Sequence, residues 1–363
     1  MGRAIPTEVG DLDAGWFTEV LRTHAPDVEV AAAEVVDAHS GTTGRVKVRL
    51  EYAGSRGDLP GTVFCKIAPF EQRQRAFLRQ IGIGAMEARF YAEIAPHVGF
   101  LRYPRVWHAE TDDDGGFVMV LEDLDASGCT FPRPSDPDVA GRAASTVDEL
   151  ARLHGALWMS PRLHDDLSWV PTRAGFGSRA AHDDRTAKAA AQFVRAALDR
   201  FADDQSPGFR AVGTLYAERT ADILDLFDQG ERTLVHGDPH SGNLFTDAGR
   251  TGFFDWAMFS RSPGMRDVAY YCCNSLPTEV RRDTQGALVD RYRAQLARVG
   301  VDLPGEVAER QLRLFAVYSW VSATSTAAVG GRWQPPARAI AAMERTTAAV
   351  EDLDSVGLLR EML

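Results

Sequence analysis

Lysine is scarce in this chain. Only Lys47, Lys66 and Lys188 occur among its 40 cationic residues, the others being arginine. Excess positive charge is lacking as well. The 51 acidic residues leave a formal charge of −11, which argues against a nucleic-acid-binding surface and favours a neutral or cationic substrate. The four cysteines, Cys65, Cys129, Cys272 and Cys273, form no C-x-x-C pair, and the adjacent Cys272 and Cys273 do not have a zinc-site spacing. Reduced, mostly buried thiols in a cytoplasmic protein are the expectation. The first thirty residues lack a basic-then-apolar leader. The most apolar stretch, Leu314 to Val329, is short and interrupted by Ser and Thr, so a buried helix is expected there rather than a membrane span. No internal repeat and no low-complexity tail occur. What remains is ordinary for a soluble globular chain: 363 residues, 45% apolar and 25% charged, enough for about two domains with real cores.

Within that background one stretch stands out, Leu234-Val-His-Gly-Asp-Pro-His-Ser-Gly-Asn-Leu-Phe245. Apolar pairs flank it, and Gly237, Pro239 and Gly242 break any helix between them. The pattern predicts a turn between two short buried strands with its polar side chains facing one cavity. Asp238 and Asn243 lie five residues apart, and Asp255 follows in a second apolar run, Gly252-Phe-Phe-Asp-Trp256. Two carboxylates and an amide can divide a task. One carboxylate takes a proton from a hydroxyl, while the other joins the amide in holding Mg²⁺ through oxygen. Taken singly, each of these residues could instead be a turn Asp or Asn capping its own loop.

Upstream, Leu12, Trp16, Phe17, Val20 and Leu21 recur at helical spacing as a core stripe. Val28 to Tyr52 predicts two strands joined by Ser40-Gly-Thr-Thr-Gly44. That turn is either an ordinary hairpin or a cover whose backbone N–H groups meet phosphates. Thr62 to Ala68 is an apolar strand with one charge inside it, Lys66. A buried ammonium wants a carboxylate or phosphate partner, and the alternative is an edge strand with Lys66 in solvent. A helix is expected over roughly Ala85 to Ala95, with Glu87 bordering its buried face as the partner of Lys66 or as a solvated glutamate. Tyr103–Ala109 and Phe117–Leu121 predict a hairpin turning at Asp112-Asp-Asp-Gly-Gly116. Asp136 is the expected N-cap of a helix starting at Pro137. His154, on the apolar face of that helix, reads as a core histidine.

The spacing Asp238-x-x-x-x-Asn243 is that of the kinase catalytic loop H-R-D-x-x-x-x-N with Gly237 in place of Arg. Asp255 then stands where the Asp of D-F-G would be, followed by Trp256-Ala257. The segment His236-Gly-Asp-Pro-His-Ser-Gly-Asn243, with Phe254-Asp255-Trp256, resembles the aminoglycoside phosphotransferase and choline/ecdysteroid-kinase-like superfamily of small-molecule kinases. Glu87-x-x-Phe-Tyr91 and Leu150-x-x-Leu-His-x-x-x-Trp158 are similar to it too. The resemblance implies an α+β, bilobal protein-kinase-like fold: an N-lobe antiparallel sheet with a helix over residues 1–122, and a mainly helical C-lobe over 123–363. It implies ATP or GTP with Mg²⁺ as cofactors and a small-molecule hydroxyl as acceptor. By position, Ser40, Thr42 and Thr43 would contact phosphates, Lys66 would hold the α/β-phosphates with Glu87 as its partner, and the backbone from Leu121 through Glu122 to Leu124 would meet the base. Asp238 would be the catalytic base and Asn243 and Asp255 the metal ligands, with His236 and Asp267 supporting the site. The short interval from Asp255 to Asp267, with no A-P-E pattern, leaves a protein substrate little to dock on. Helices beyond Asp267 would shape the acceptor pocket, where Trp320, Arg332 and Trp333 either line it or pack elsewhere.

Two other functions stay open on the sequence. One is a metal-dependent hydrolase using His236, Asp238 and His240 as ligands for zinc or iron. The other is a nucleotide-binding pseudokinase. The acceptor itself is not legible: an aminoglycoside, a macrolide, a choline-like alcohol, a sterol or an acyl metabolite would each fit.

Overall fold

The structure is a computed structural model and describes residues 4–133, 136–172, 184–330 and 335–363. Its contacts separate into two compact units. One comprises the described residues up to Phe131 together with Phe245–Met258, the other Pro132–Leu244 and Phe259–Leu363. The sequence reading placed the division after Glu122 and Asp255 beyond it. The segment carrying Asp255 is instead held in the first unit.

The first unit is built on a leading helix and a sheet. Helix α1 (Ala14–Leu21) is capped by Asp13, whose carboxylate accepts from the Trp16 N–H at 2.8 Å. Five antiparallel strands follow in the order β1-β2-β3-β5-β4: β1 (Val30–Ser40), β2 (Gly44–Tyr52), β3 (Thr62–Ile67), β4 (Val106–Thr111) and β5 (Phe117–Glu122). Strand alternation decides what each face carries. Val46, Val48 and Leu50 of β2, with Val63, Cys65 and Ile67 of β3, are buried in one core with Trp16, Phe17, Val20 and Leu21 of α1. The opposite face therefore receives Arg45, Lys47 and Arg49 from β2 and Lys66 from β3.

Two helices cross between β3 and β4. Helix α2 (Gln72–Ile81) goes unanticipated in the sequence, because its opening Gln72-Arg-Gln-Arg75 offers no apolar stripe. Helix α3 (Ile83–Arg89) is shorter than the expected Ala85–Ala95 helix. It passes into a single π turn over Phe90–Ile94, in which the Ala95 N–H reaches back five residues to the Phe90 carbonyl. Pro96, next in line, has no N–H with which to continue a helical ladder.

In the second unit, α4 (Val139–Ala156) is capped by Asp138, which accepts from the Gly141 N–H at 2.9 Å. The expected cap, Asp136, lies outside the helix and accepts from the Arg133 N–H at 2.7 Å and from Arg142. Helices α5 (Asp184–Phe201), α6 (Pro207–Glu218) and α7 (Thr220–Phe227) lead into strand β6 (Thr233–Val235). Strand β7 (Leu244–Asp247) pairs with β8 (Arg250–Phe253), and β6 pairs with β9 (Ser260–Ser262). The two strands flanking the organising stretch thus form separately and do not pair with each other. Helices α8 (Met265–Ser275), α9 (Thr278–Ala297), α10 (Gly305–Val329), α11 (Pro336–Asp352) and α12 (Ser355–Met362) complete the unit.

The apolar run from Leu314 lies in α10, as expected. Among the described residues no helix is long and apolar enough to cross a membrane. All four cysteines are free and buried, and burial pushes the Cys273 thiol up to about 12.

The position of α3 rests on a close approach. A methyl built on Gly84 would lie 2.1 Å from the ring of Phe117, itself buried in β5. Gly84→Ala is expected to destabilise the protein by about 1–3 kcal/mol through this overpacking, measured as a lower denaturant midpoint with an unchanged slope. An unchanged midpoint would mean that α3 shifts freely on the sheet.

Candidate active site

In the first unit the site begins with a cation inside an apolar strand. Lys66 is 5% exposed, so it is not an edge residue facing solvent. Its ammonium donates to both oxygens of Glu87, at 2.8 Å each, and to Asp255 Oδ1 at 3.2 Å. Glu87 is buried on α3. Burial alone would lower the Lys66 pKa, but the charges of Asp255 and Glu87 outweigh it and raise it above the ordinary lysine value. Burial likewise pushes the Glu87 carboxyl up, against the pull of Lys66.

Two features carry Asp255 to this point. The turn of the β7–β8 hairpin, Ala248-Gly249, takes positive φ at both residues, as a two-residue turn matched to strand twist requires. Arg102 then ties the hairpin to the sheet, donating to Asp247 at 2.6 Å and to both oxygens of Glu122 at 2.8 and 2.9 Å. Beyond β8, Trp256 is fully buried and stacks on Phe90, centroids 4.0 Å apart and planes 8° from parallel. Glu87 and Phe90, three residues apart, therefore meet Lys66 and Trp256 respectively. Asp255 itself has φ +62°, a left-handed conformation uncommon for a residue with a Cβ and concentrated at functional sites.

The other residues expected around a nucleotide are placed as follows. The Ser40 hydroxyl accepts from the Phe70 N–H at 3.1 Å, Thr43 is buried, and Thr42 lies between them in the turn. The Glu122 carboxylate is committed to Arg102 and to the Arg105 N–H at 2.9 Å. The Glu122 N–H donates to Arg105 O, and Leu124 O accepts from the Cys129 N–H, so this backbone is partly spent within its own unit.

In the second unit the organising stretch is braced by one buried anion. Asp267, in the first turn of α8, accepts from the His236 N–H at 2.6 Å and from the Gly237 N–H at 2.9 Å. His154 stands 3.2 Å from the same carboxylate, with its other ring nitrogen 2.8 Å from the Tyr292 hydroxyl. His154 is thus a core histidine with two partners. Burial would raise the Asp267 carboxyl, but the His154 hydrogen bond and the pull of His154, His236 and Arg266 outweigh it and hold it below its ordinary value. Gly237 takes φ +85°, which explains why no arginine stands there. Its carbonyl accepts from the Tyr318 hydroxyl at 3.0 Å, and Tyr318 is held by the buried Arg266 at 2.7 Å.

Asp238 is positioned by its neighbours. The Asn243 amide donates to the Asp238 carbonyl at 2.9 Å and to its Oδ2 at 3.1 Å. The Tyr270 phenol stands 3.0 Å from the Ser322 hydroxyl, and burial, with the Asp238 charge, pushes that phenol well above its ordinary range. His236 Nδ1 accepts from the Asp238 N–H at 3.3 Å and His240 Nδ1 from the Gly242 N–H at 2.9 Å. One nitrogen of each imidazole is thereby spent on backbone, and among the described residues no three His, Cys, Asp or Glu side chains gather as a metal site. Nothing here supports the hydrolase reading.

Trp320, a candidate for the acceptor pocket, is instead a core residue. It is fully buried, donates to Thr347 Oγ1 at 3.1 Å and packs on the Phe209 ring. Arg332 and Trp333 lie outside the described residues. Sequence reasoning missed Arg45, Arg266, Tyr270 and Tyr318. An arginine in a strand or a helix turn reads as surface, and tyrosines on a buried helix face read as packing.

The sheet with its buried Lys–Glu pair, and the helical unit with its braced D-x-x-x-x-N loop, define a bilobal α+β fold of the protein-kinase-like class. A model of the ecdysteroid kinase-like family matches residues 36–303, and the chain belongs to that family. No curated protein matches it in sequence. Among solved structures it is similar in fold to a proposed aminoglycoside phosphotransferase from Ralstonia eutropha JMP134, at 16% identity and a TM-score of 0.56, covering 95% of this chain and 98% of that one. The aminoglycoside 2′-phosphotransferase-IIIa in its GDP complex matches at 13% identity and a TM-score of 0.50, over 92% and 98%. Choline kinase LicA from Streptococcus pneumoniae matches at 11% and 0.50, over 93% and 98%.

Lys66→Met leaves Glu87 buried without its ammonium and is expected to cost about 3–5 kcal/mol. Adding Glu87→Met should recover most of that stability, since an apolar pair replaces a buried ion pair at little cost. Equal stability of the single and double variants in denaturant melts would contradict the pairing. Asp267→Asn should cost roughly 2–4 kcal/mol, because one acceptor oxygen replaces two at the His236 and Gly237 N–H groups. The folded pKa of Asp267 is depressed, so its contribution is complete above the unfolded value of about 4 and is lost as pH falls through the folded one. The variant's stability should accordingly fall less steeply with acid than that of the parent.

Proposed function

We propose that this chain is a kinase of small molecules that transfers the γ-phosphoryl group of ATP, or GTP, to a hydroxyl. The observation that carries this reading is the buried Lys66–Glu87 pair reaching Asp255. A buried ammonium held by two carboxylates is costly for structure alone and suits a group that must meet phosphate. Lys66 would hold the α/β-phosphates, the turn at Ser40, Thr42 and Thr43 would cover them, and the backbone from Glu122 to Leu124 would meet the base. The GDP complex of the aminoglycoside 2′-phosphotransferase-IIIa supports a nucleotide as donor.

Asp238 would orient the acceptor hydroxyl and take its proton, held in position by Asn243. Asp267 and His236 would keep the loop in shape. Asp255 and Asn243 offer oxygen donors suited to Mg²⁺: the Asn243 NH₂ is spent on Asp238, which leaves its carbonyl oxygen as the ligand atom. A cation bound there would neutralise charge on the phosphates. The acceptor is a small molecule, since the interval from Asp255 to Asp267 is too short for a segment that docks a protein substrate.

A screen of small alcohols, aminoglycosides and choline-like acceptors, followed by ADP or GDP release, tests the reading. Nucleotide binding without turnover across a broad panel would favour a pseudokinase. With the acceptor in hand, Asp238→Asn should lower kcat by about 10²–10⁴-fold, the range of a positioned general base. Nucleotide affinity should remain near that of the parent. A folded Asp238→Asn protein with near-normal kcat would remove the base assignment.

A further inference from the structure

We infer that Arg45 is a second anchor for the nucleotide's phosphates, parked on Asp255 when no nucleotide is bound; the inference rests on the kinase reading above. The β2–β3 register sets Arg45 directly opposite Lys66, on the same face of the sheet. The Arg45 guanidinium stands 3.8 Å from Asp255 Oδ2, while Lys66 meets Asp255 Oδ1 at 3.2 Å. One carboxylate is therefore shared by two cations.

The two cations are not equally committed. An ammonium has three protons, and the three oxygens around Lys66 match them. A phosphate arriving at Lys66 finds no spare proton unless Asp255 releases one. Arg45, by contrast, has five donors. Its contact with Asp255 is too long for a hydrogen bond, and its Nε is buried with no hydrogen-bond partner among the described residues. The other cations on this face of β2 are more tightly held, Lys47 by Asp123 at 2.8 Å and Arg49 by Glu34 at 2.5 Å. Arg45 is thus the cation of this row that stands opposite Lys66 and has donors to offer.

The ligand chemistry follows. A guanidinium with an unmet Nε–H and a neighbouring Nη–H is a fork that fits two phosphate oxygens. Were Asp255 to hold a divalent cation, Arg45 would lose its ion pair with that carboxylate and could take up a polyphosphate instead. The exchange conserves charge pairing at every stage: in the empty chain Arg45 neutralises Asp255, and in the loaded chain it neutralises phosphate.

Calorimetric titration of the full chain tests this with four probes: ATP with Mg²⁺, ATP in EDTA, ADP with Mg²⁺, and adenosine, with GTP and guanosine substituted if guanine is preferred. Arg45→Gln is expected to weaken ATP about 10–100-fold, both with Mg²⁺ and in EDTA, the range for a charge-assisted hydrogen bond. Adenosine affinity and the apo melting temperature should be unchanged. Arg45→Lys should recover only part of the loss, since a point charge does not reproduce the fork; it supplies the same contrast should Arg45→Gln fail to fold. Equal affinity of parent and variant for ATP overturns the assignment. A loss confined to the Mg²⁺ titrations also overturns it, because it would mark Arg45 as a brace for Asp255 alone. A parent chain that binds none of the nucleotides removes the kinase reading itself, and Arg45 with it.

Discussion

An ammonium buried in an apolar strand is the constraint on which the first unit depends. Lys66 cannot sit in β3 without anions around it, and the chain brings two by different routes. Glu87 arrives on a short helix whose seat against β5 needs the missing side chain of Gly84. Asp255 arrives on a hairpin tied down by Arg102 and locked by the Phe90–Trp256 stack. Each piece looks incidental alone: a glycine in a helix, a one-residue widening of its last turn, a tryptophan after an aspartate. Together they place three oxygens around one nitrogen. Replacing that cluster by apolar side chains would cost little stability, so folding alone does not call for it.

The second unit solves the opposite problem, an anion that must be buried. Asp267 receives two backbone N–H groups and an imidazole, and by accepting them it fixes the conformation of His236 and Gly237. A second set of side chains, Arg266 through Tyr318, holds the Gly237 carbonyl from the other side. The loop that carries Asp238 is therefore shaped by polar groups committed to its backbone. Its own side chains add to this: His236, His240 and Asn243 each bond to the loop's backbone.

Much of this was legible in the sequence, and the reasons differ by residue. The alternation of Val46, Val48 and Leu50 predicts the sheet face, and the glycine and proline breaks around Asp238 predict a loop between strands. Lys66 declares itself because a lone charge in an apolar run needs a partner, and Glu87 follows from helical spacing. What stayed hidden has a common cause: groups whose role depends on contacts distant in sequence. Arg45 reads as the solvent face of a strand until the register sets it beside Lys66. Trp320 reads equally as a pocket or a packing residue until the folded helices bury it. Helix α2 opens on four polar residues that do not announce it, and the cap at Asp138 displaces the expected one by two residues.

Gly237 has a consequence of a different kind. Kinases controlled by covalent modification commonly keep an arginine ready for a phosphorylated residue, so that adding a phosphate completes an unfinished structure. At Gly237 a φ of +85° shuts out such a side chain, and the neighbouring backbone groups are already taken up by Asp267 and Tyr318. Nothing at this position waits to be completed. The loop takes this shape from contacts within the folded polypeptide, with no added group needed to complete it.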